Sequence, residues 1–244
     1  MKEMDNQNNQ TISICLPIYN EAESIVMVIQ EWLDLMKELS LDFKIICSED
    51  GSTDGTKEII KELCKKNSKI IDNTTNEKRG YTKAVISGVR IAKSEYILCI
   101  DSDGQCDPKD FKYFWENRKK LEQNFFLIGN RFNRKDGIFR LIISKTFKVF
   151  HKILFYNSLS DPSCPYVFFQ KKNFNLIENK LHYTQEGFWW GFVGACILNN
   201  FKFYEIKINH RKRLKGNTNV YKLHKIPLIA LKNALGLIKL RFNL

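Results

Sequence analysis

Apolar and polar positions alternate in blocks along the first half of the chain. Thr11–Pro17 is a β-branched and apolar run that stops at a proline, as a buried strand does. Glu21–Leu39 then repeats apolar residues at helical spacing: Ile25, Val28, Ile29, Trp32, Leu35, Met36 and Leu39. The same reading predicts strands over Phe43–Ser48, Lys69–Asp72 and Glu95–Ile100, and helices over Thr56–Lys65 and Thr82–Ala92. Strands alternating with helices at this rhythm predict an α/β fold, a Rossmann-like, mostly parallel open sheet with helices on both faces. In such a sheet ligands bind at the carboxyl ends of the strands. The acidic residues obey that rule, with Glu49 and Asp50 ending one strand and Asp101 and Asp103 another.

The rhythm changes after residue 110. Phe125–Gly129 and Phe201–Asn209 read as late strands. Ile138–Tyr156 reads as a helix with Arg140, Lys145, Lys148 and Lys152 in one basic stripe, opposite Phe139, Ile142, Ile143, Phe150, Ile153 and Leu154. Ile226–Leu244 approaches the ~20 residues that span a bilayer. Lys232, Lys239 and Arg241 interrupt it, which predicts an amphipathic, surface-lying helix instead. The expected division is a leader over 1–10, one domain over 11–225 with halves 11–122 and 123–225, and the terminal helix 226–244.

Composition adds two constraints. At 244 residues and 43% hydrophobic content the chain can bury one substantial core. Its net charge of +12 is segregated: residues 1–122 hold 18 Lys+Arg against 22 Asp+Glu, and residues 123–244 hold 21 against 5. The second half therefore faces something anionic, such as diphosphate, lipid phosphate or an anionic membrane. No nucleic-acid motif accompanies it, and the acidic strand ends would repel a phosphate backbone, so no nucleic-acid partner is expected. The leader Met1–Gln10 has no apolar core of secretory length, which predicts a cytoplasmic location, peripheral to the inner face of the cell membrane. The seven cysteines are odd in number with no Cys-x-x-Cys pair, favouring a reduced setting over disulfides or a cysteine metal site.

Asp101-Ser102-Asp103 carries the sharpest chemistry. Two carboxylates one residue apart at a strand end suit a hard cation, Mg2+ or Mn2+, against the diphosphate of a nucleotide sugar. An isolated D-x-D is more often a solvated turn; this one ends an apolar strand and precedes Gly104-Gln105. Glu49-Asp50-Gly51-Ser52-Thr53-Asp54-Gly55-Thr56 and Pro17-Ile18-Tyr19-Asn20-Glu21 are equally ambiguous alone, as turns leading into helices or as walls of a nucleoside pocket.

Together, LPIYNEAESI (16–25), EDGSTDGT (49–56), KRGYTKAVISG (78–88) and DSDGQCDP (101–108) resemble, in order and spacing, the family 2 glycosyltransferases of GT-A fold. Within them the chain is most similar to the dolichyl-phosphate-mannose-synthase-like, polyprenyl-phosphate branch. The resemblance implies a metal-dependent glycosyltransferase. Asp50 would contact the base; Pro17, Tyr19, Glu21 and Lys83 would line the donor pocket. Asp101, Ser102, Asp103 and Gln105 would serve the metal and diphosphate. Arg131, Arg140 and Ser144 would stand near the diphosphate and acceptor phosphate, with Arg213 in a basic loop over the donor. Asp161–Tyr166 would close the sugar side.

Two departures shape the expected reaction. Where relatives carry an acidic base this chain has Gly191, with Glu186 the nearest carboxylate, and Asn219 replaces a lysine of the basic loop. A hydroxyl acceptor needs its proton removed, whereas a lipid phosphate is already anionic. The expected activity is therefore inverting transfer from a UDP- or GDP-linked sugar to a polyprenyl phosphate. The alternative is transfer to a sugar hydroxyl in surface-glycan assembly, with Glu186 as base. The membrane contact would be peripheral or through a partner subunit.

Overall fold

The computed structural model describes residues 11–132, 138–185, 187–213 and 226–244, with the side chains of residues 138–140, 226 and 227 also outside the description. Seven strands form one sheet: β1 (Ile12–Ile18), β2 (Phe43–Glu49), β3 (Ile70–Asp72), β4 (Tyr96–Cys99), β5 (Phe125–Phe132), β6 (Val167–Gln170) and β7 (Lys202–Asn209). Their order is β3-β2-β1-β4-β6-β5-β7. β1 pairs parallel with β2, Ile12 opposite Phe43, and with β4, Ile14 opposite Leu98. Only β6 is reversed, with Val167 opposite Cys99 and Ile128. β5 and β7 run parallel from Phe125–Lys202 to Phe132–Asn209.

Every residue of β1 is buried, as expected of a central parallel strand covered on both faces. The helices α1 (Ile25–Glu38), α2 (Thr56–Lys66) and α3 (Tyr81–Ile91) follow β1, β2 and β3 in turn. α1 buries Ile25, Val28, Ile29, Trp32, Leu35 and Met36, the face its periodicity predicted. Trp32 sets its edge on Phe111 and Tyr166, so α1 is keyed to α4 (Phe111–Glu116) and to the turn before β6.

The second half adds α5 (Ile138–Phe155), α6 (Lys171–Asn175), α7 (Phe188–Leu198) and α8 (Ile226–Phe242). α7 is buried nearly all round, from Phe188 and Trp189 to Cys196. That is why it has no amphipathic period to find in the sequence. β6, four residues inside an apolar stretch, is too short for periodicity to separate strand from helix.

α5 is rotated differently from the expected two-faced helix. His151 and Phe155 are buried, and Phe147, Phe150 and Leu154 pack against the core. Ile142, Val149, Ile153 and Tyr156 are 56%, 55%, 69% and 85% exposed. The apolar set therefore splits, and an exposed apolar stripe runs beside Lys145, Lys148 and Lys152. α8 repeats the arrangement: Leu237 and Leu240 are buried, whereas Leu228, Leu231, Leu235 and Phe242 are exposed beside Lys232 and Lys239. The Arg241 Nε donates to Leu154 O at 3.1 Å and ties the two helices together. Among the described residues no helix is long and apolar enough to cross a membrane.

Candidate active site

The loops after β1 and β2 are stitched edge to edge at the carboxyl end of the sheet. Asn20 N donates to Ser52 Oγ at 2.8 Å, and Thr53 N to Asn20 Oδ1 at 2.9 Å. Glu21 N donates to Thr56 Oγ1 at 2.9 Å, and Ala22 N to Asp54 Oδ2 at 3.1 Å. The polar residues that sequence alone left open, as turns or as walls of a pocket, are thus cross-linked, joining Tyr19–Glu21 to the Asp50 turn.

Asp50 is buried and accepts from Arg79 N at 2.7 Å and Gly80 N at 2.9 Å. It fixes the 78–80 segment against the end of β2. Gly51 makes that approach possible: its φ is +73° and a Cβ there would lie 2.6 Å from Lys78 N. The Lys78 Nζ then sits 3.4 Å from the centroid of the Tyr19 ring. Lys83 is exposed on α3, and Pro17 is buried at the end of β1.

Asp101 follows β4 directly. Ser102 Oγ donates to Pro17 O at 2.8 Å, anchoring the acidic triplet to β1. Gln105 N donates to Asp103 Oδ1 at 3.0 Å, so the contribution of Gln105 here is through its backbone. The Tyr81 hydroxyl donates to Asp101 Oδ1, and Trp189 Nε1 donates to the Tyr81 oxygen at 2.7 Å.

Arg213 reaches this group from the far end of the chain. It bonds to Glu21 Oε1 through Nη2, and its Nη1 lies 4.0 Å from Asp103 Oδ2. Burial raises the pKa of Glu21 above the carboxylate norm, while Ser24 and Arg213 pull it back. The lead-in to Arg213 is held against the acidic loop: Cys106 bridges to His210, Arg211 N donates to Gln105 O at 2.7 Å, and Arg211 Nε to Gly104 O at 3.1 Å. Glu31 clamps that guanidinium through both oxygens, at 3.1 and 2.8 Å. Residues 214–218 of the expected basic loop, and Asn219, lie outside the described residues.

The other predicted phosphate contacts are Arg131, Arg140 and Ser144. Arg131 is spent on Asp161 in a two-pronged pair, Nε to Oδ2 at 2.6 Å and Nη2 to Oδ1 at 2.9 Å, with Ser163 Oγ at 3.0 Å. Its side chain is 9% exposed. Burial works to lower its pKa, but Asp161 outweighs that and raises it. Ser144 is half-buried on α5, and Arg140 is on the first turn of that helix, its side chain outside the description. Glu186, the alternative base, also lies outside the described residues. At Gly191 a Cβ would meet Thr184 Oγ1 at 1.7 Å, so the packing there leaves no room for any side chain.

Asp101 and Asp103 form an oxygen donor pair of the kind that holds Mg2+ or Mn2+ with only one or two carboxylates, the remaining ligands coming from phosphate and water. No cluster of three or more His, Cys, Asp or Glu suited to a metal exists among the described residues. Two carboxylates are the donor set suited to a cation shared with a bound diphosphate. Tyr81, Trp189 and Lys78 were not assigned roles from sequence. Tyr81 and Lys78 stand inside the KRGYTKAVISG motif, but their contacts to Asp101 and Tyr19 form only in the fold.

Residues 13–197 match the sequence profile of glycosyl transferase family 2. The chain belongs to that family. It is similar to the undecaprenyl-phosphate 4-deoxy-4-formamido-L-arabinose transferase of Pectobacterium carotovorum, 26% identical over 224 residues, 90% of this chain and 65% of that protein. The Photorhabdus laumondii protein of the same name is 30% identical over 136 residues, 55% of this chain and 41% of that one. These relatives are of the polyprenyl-phosphate branch that the sequence resembles. The chain spans less than two thirds of their length. Among solved structures, mannosyl-3-phosphoglycerate synthase from Rubrobacter xylanophilus superposes with a TM-score of 0.69 at 14% identity, over 96% of this chain and 75% of that one. Glucosyl-3-phosphoglycerate synthase from Mycobacterium tuberculosis, in complex with Mn2+, UDP-glucose and phosphoglyceric acid, gives 0.67 at 13% identity, over 96% and 80%. The fold is GT-A, as the motif order implied.

Proposed function

We propose that the chain moves a sugar from a UDP- or GDP-linked donor to a polyprenyl phosphate at the cytoplasmic face of a membrane, inverting the anomeric centre. The observation that carries the donor half is the group at the strand ends: Asp101, Asp103 and Glu21 with Arg213 laid against them. The acceptor half is supported by the relatives' undecaprenyl-phosphate chemistry and by the filled space at Gly191. The nucleotide and Mn2+ held by the Mycobacterium tuberculosis neighbour support a UDP-type donor with a divalent cation.

In this reading Tyr19, Asp50 and the Lys78–Gly80 segment receive the nucleoside. An acceptor phosphate oxygen attacks the anomeric carbon in line with the leaving diphosphate. The carbon–oxygen bond to the diphosphate breaks, and both bonding electrons leave with it. No proton has to be removed from a phosphate that is already ionised, so no general base is needed. Arg213 releases Glu21 and turns its guanidinium to the departing diphosphate, while Arg140 and Ser144 approach the acceptor phosphate from α5. Held between Asp101 and Asp103, Mg2+ or Mn2+ would supply positive charge to that leaving group. Arg131 holds Asp161 and with it the segment closing the sugar side.

The apolar stripes of α5 and α8, each flanked by lysines, give the surface that rests on an anionic leaflet. The reading is tested by measuring nucleoside diphosphate release from a panel of UDP- and GDP-linked sugars with Mn2+. Release should require a short-chain polyprenyl phosphate. Release that responds only to glycan hydroxyls would move the assignment to the Glu186 alternative.

A further inference from the structure

Tyr81 is the first residue of α3 and is 36% exposed as a whole, while its hydroxyl is bonded to both Asp101 and Trp189. An indole nitrogen can only donate. Trp189 therefore occupies a lone pair of the phenol and leaves its proton one destination, the Asp101 carboxylate. Trp189 is itself closely packed, 6% exposed and in T-shaped contact with Phe188 and Phe192. α7 meets α3 through other contacts too, the Tyr81 ring lying 6.1 Å from that of Phe188. Thr82 Oγ1 already joins α3 to the lead-in of α7 through Gln185 O at 2.8 Å and Thr184 O at 3.3 Å. The two acidic residues are thus aimed by different means: Asp103 by its own loop through Gln105 N, and Asp101 by a directed chain that begins on α7.

We propose that Tyr81, locked by Trp189, is a positioning residue that orients Asp101 toward the divalent cation. The proposal rests on the metal-dependent reading of the donor site. It is tested with Tyr81→Phe and Trp189→Phe, measuring Mn2+ affinity and the Mn2+ electron paramagnetic resonance spectrum with UDP present. UDP affinity without metal and urea stability are measured alongside. The expected loss of Mn2+ affinity is about tenfold for Y81F and smaller for W189F, with metal-free UDP affinity unchanged, because outer hydrogen bonds to a ligating carboxylate have effects of this order. Y81F binding Mn2+ within about twofold of the natural protein, with the same spectrum, overturns the proposal while leaving the donor site intact. A natural protein that binds no Mn2+ with UDP overturns the site reading and the proposal with it. Should Y81F not fold, W189F decides by the same criterion.

Discussion

Gly191 and Thr184 pack so closely that a Cβ on the glycine would lie 1.7 Å from the threonine Oγ1. Thr184 is in turn boxed in from the other side, because a Cβ on Gly236 of α8 would meet Tyr183 O at 2.2 Å. Overpacking of this kind costs about 1–3 kcal/mol. Both Gly191→Ala and Gly191→Asp are therefore expected to lose at least that much stability in urea titrations. G191D is expected to gain no transfer to sugar hydroxyls, because an aspartate enters only by displacing the 183–184 segment.

The Glu21–Arg213 pair makes a prediction about turnover. Glu21 is 8% exposed, and Arg213 pairs with it and lies 4.0 Å from Asp103. Arg213→Ala is expected to lower kcat/KM by about 10- to 100-fold, the range for one charge-assisted contact to a phosphate. With Arg213 gone, burial acts on Glu21 unopposed by that charge, so its pKa rises further. A carboxyl titration followed by NMR checks the direction, upward relative to the natural protein.

His151 sets an acid limit on stability. It is fully buried on α5, its Nε2–H donating to Trp190 O at 3.0 Å and its Nδ1 accepting from Asn157 Nδ2 at 3.1 Å. Burial lowers its pKa from 6.5 to about 4, against the pull of the Trp190 carbonyl. Above pH 6.5 the imidazole is neutral in both folded and unfolded chains, and its contribution is complete. As pH falls toward about 4 only the unfolded chain takes up the proton, so stability is lost, by about 3 kcal/mol at the end of the window. Melting curves across this range should fall more steeply for the natural protein than for His151→Gln, which has nothing to titrate.

The exposed stripes predict membrane binding that depends on both shape and charge. Ile153→Glu on α5 and Leu231→Glu on α8 remove apolar area and add repulsion at residues 69% and 57% exposed. Each is expected to weaken cosedimentation with anionic vesicles by several-fold while leaving the melting temperature nearly unchanged. Neutral vesicles should bind the natural protein more weakly, and salt should reduce the difference.

The strand ends and turns of the proposed donor site were legible because they lie within short motifs. The apolar run into Asp101, the turn after Asp50 and the spacing of α1 each declare themselves locally. The contacts that aim those residues are remote: Tyr81 meets Trp189 across 108 positions, and Arg213 meets Glu21 across 192. The pairing of Arg131 with Asp161, thirty residues on, has no local signal either. On α5 periodicity separated apolar from basic residues but said nothing of which side meets the core. Packing on α7 buries polar His151 and leaves apolar Ile153 in the open.

Transfer of label from a UDP- or GDP-linked radioactive sugar into organic-extractable lipid, with undecaprenyl phosphate vesicles and Mn2+, is the decisive measurement. Label is expected in the lipid phase, abolished when undecaprenyl phosphate is omitted and reduced at least 100-fold, about 2.7 kcal/mol, in Asp101→Asn or Asp103→Asn. Label that appears only in glycan, with the lipid phosphate unlabelled at all times, would contradict it.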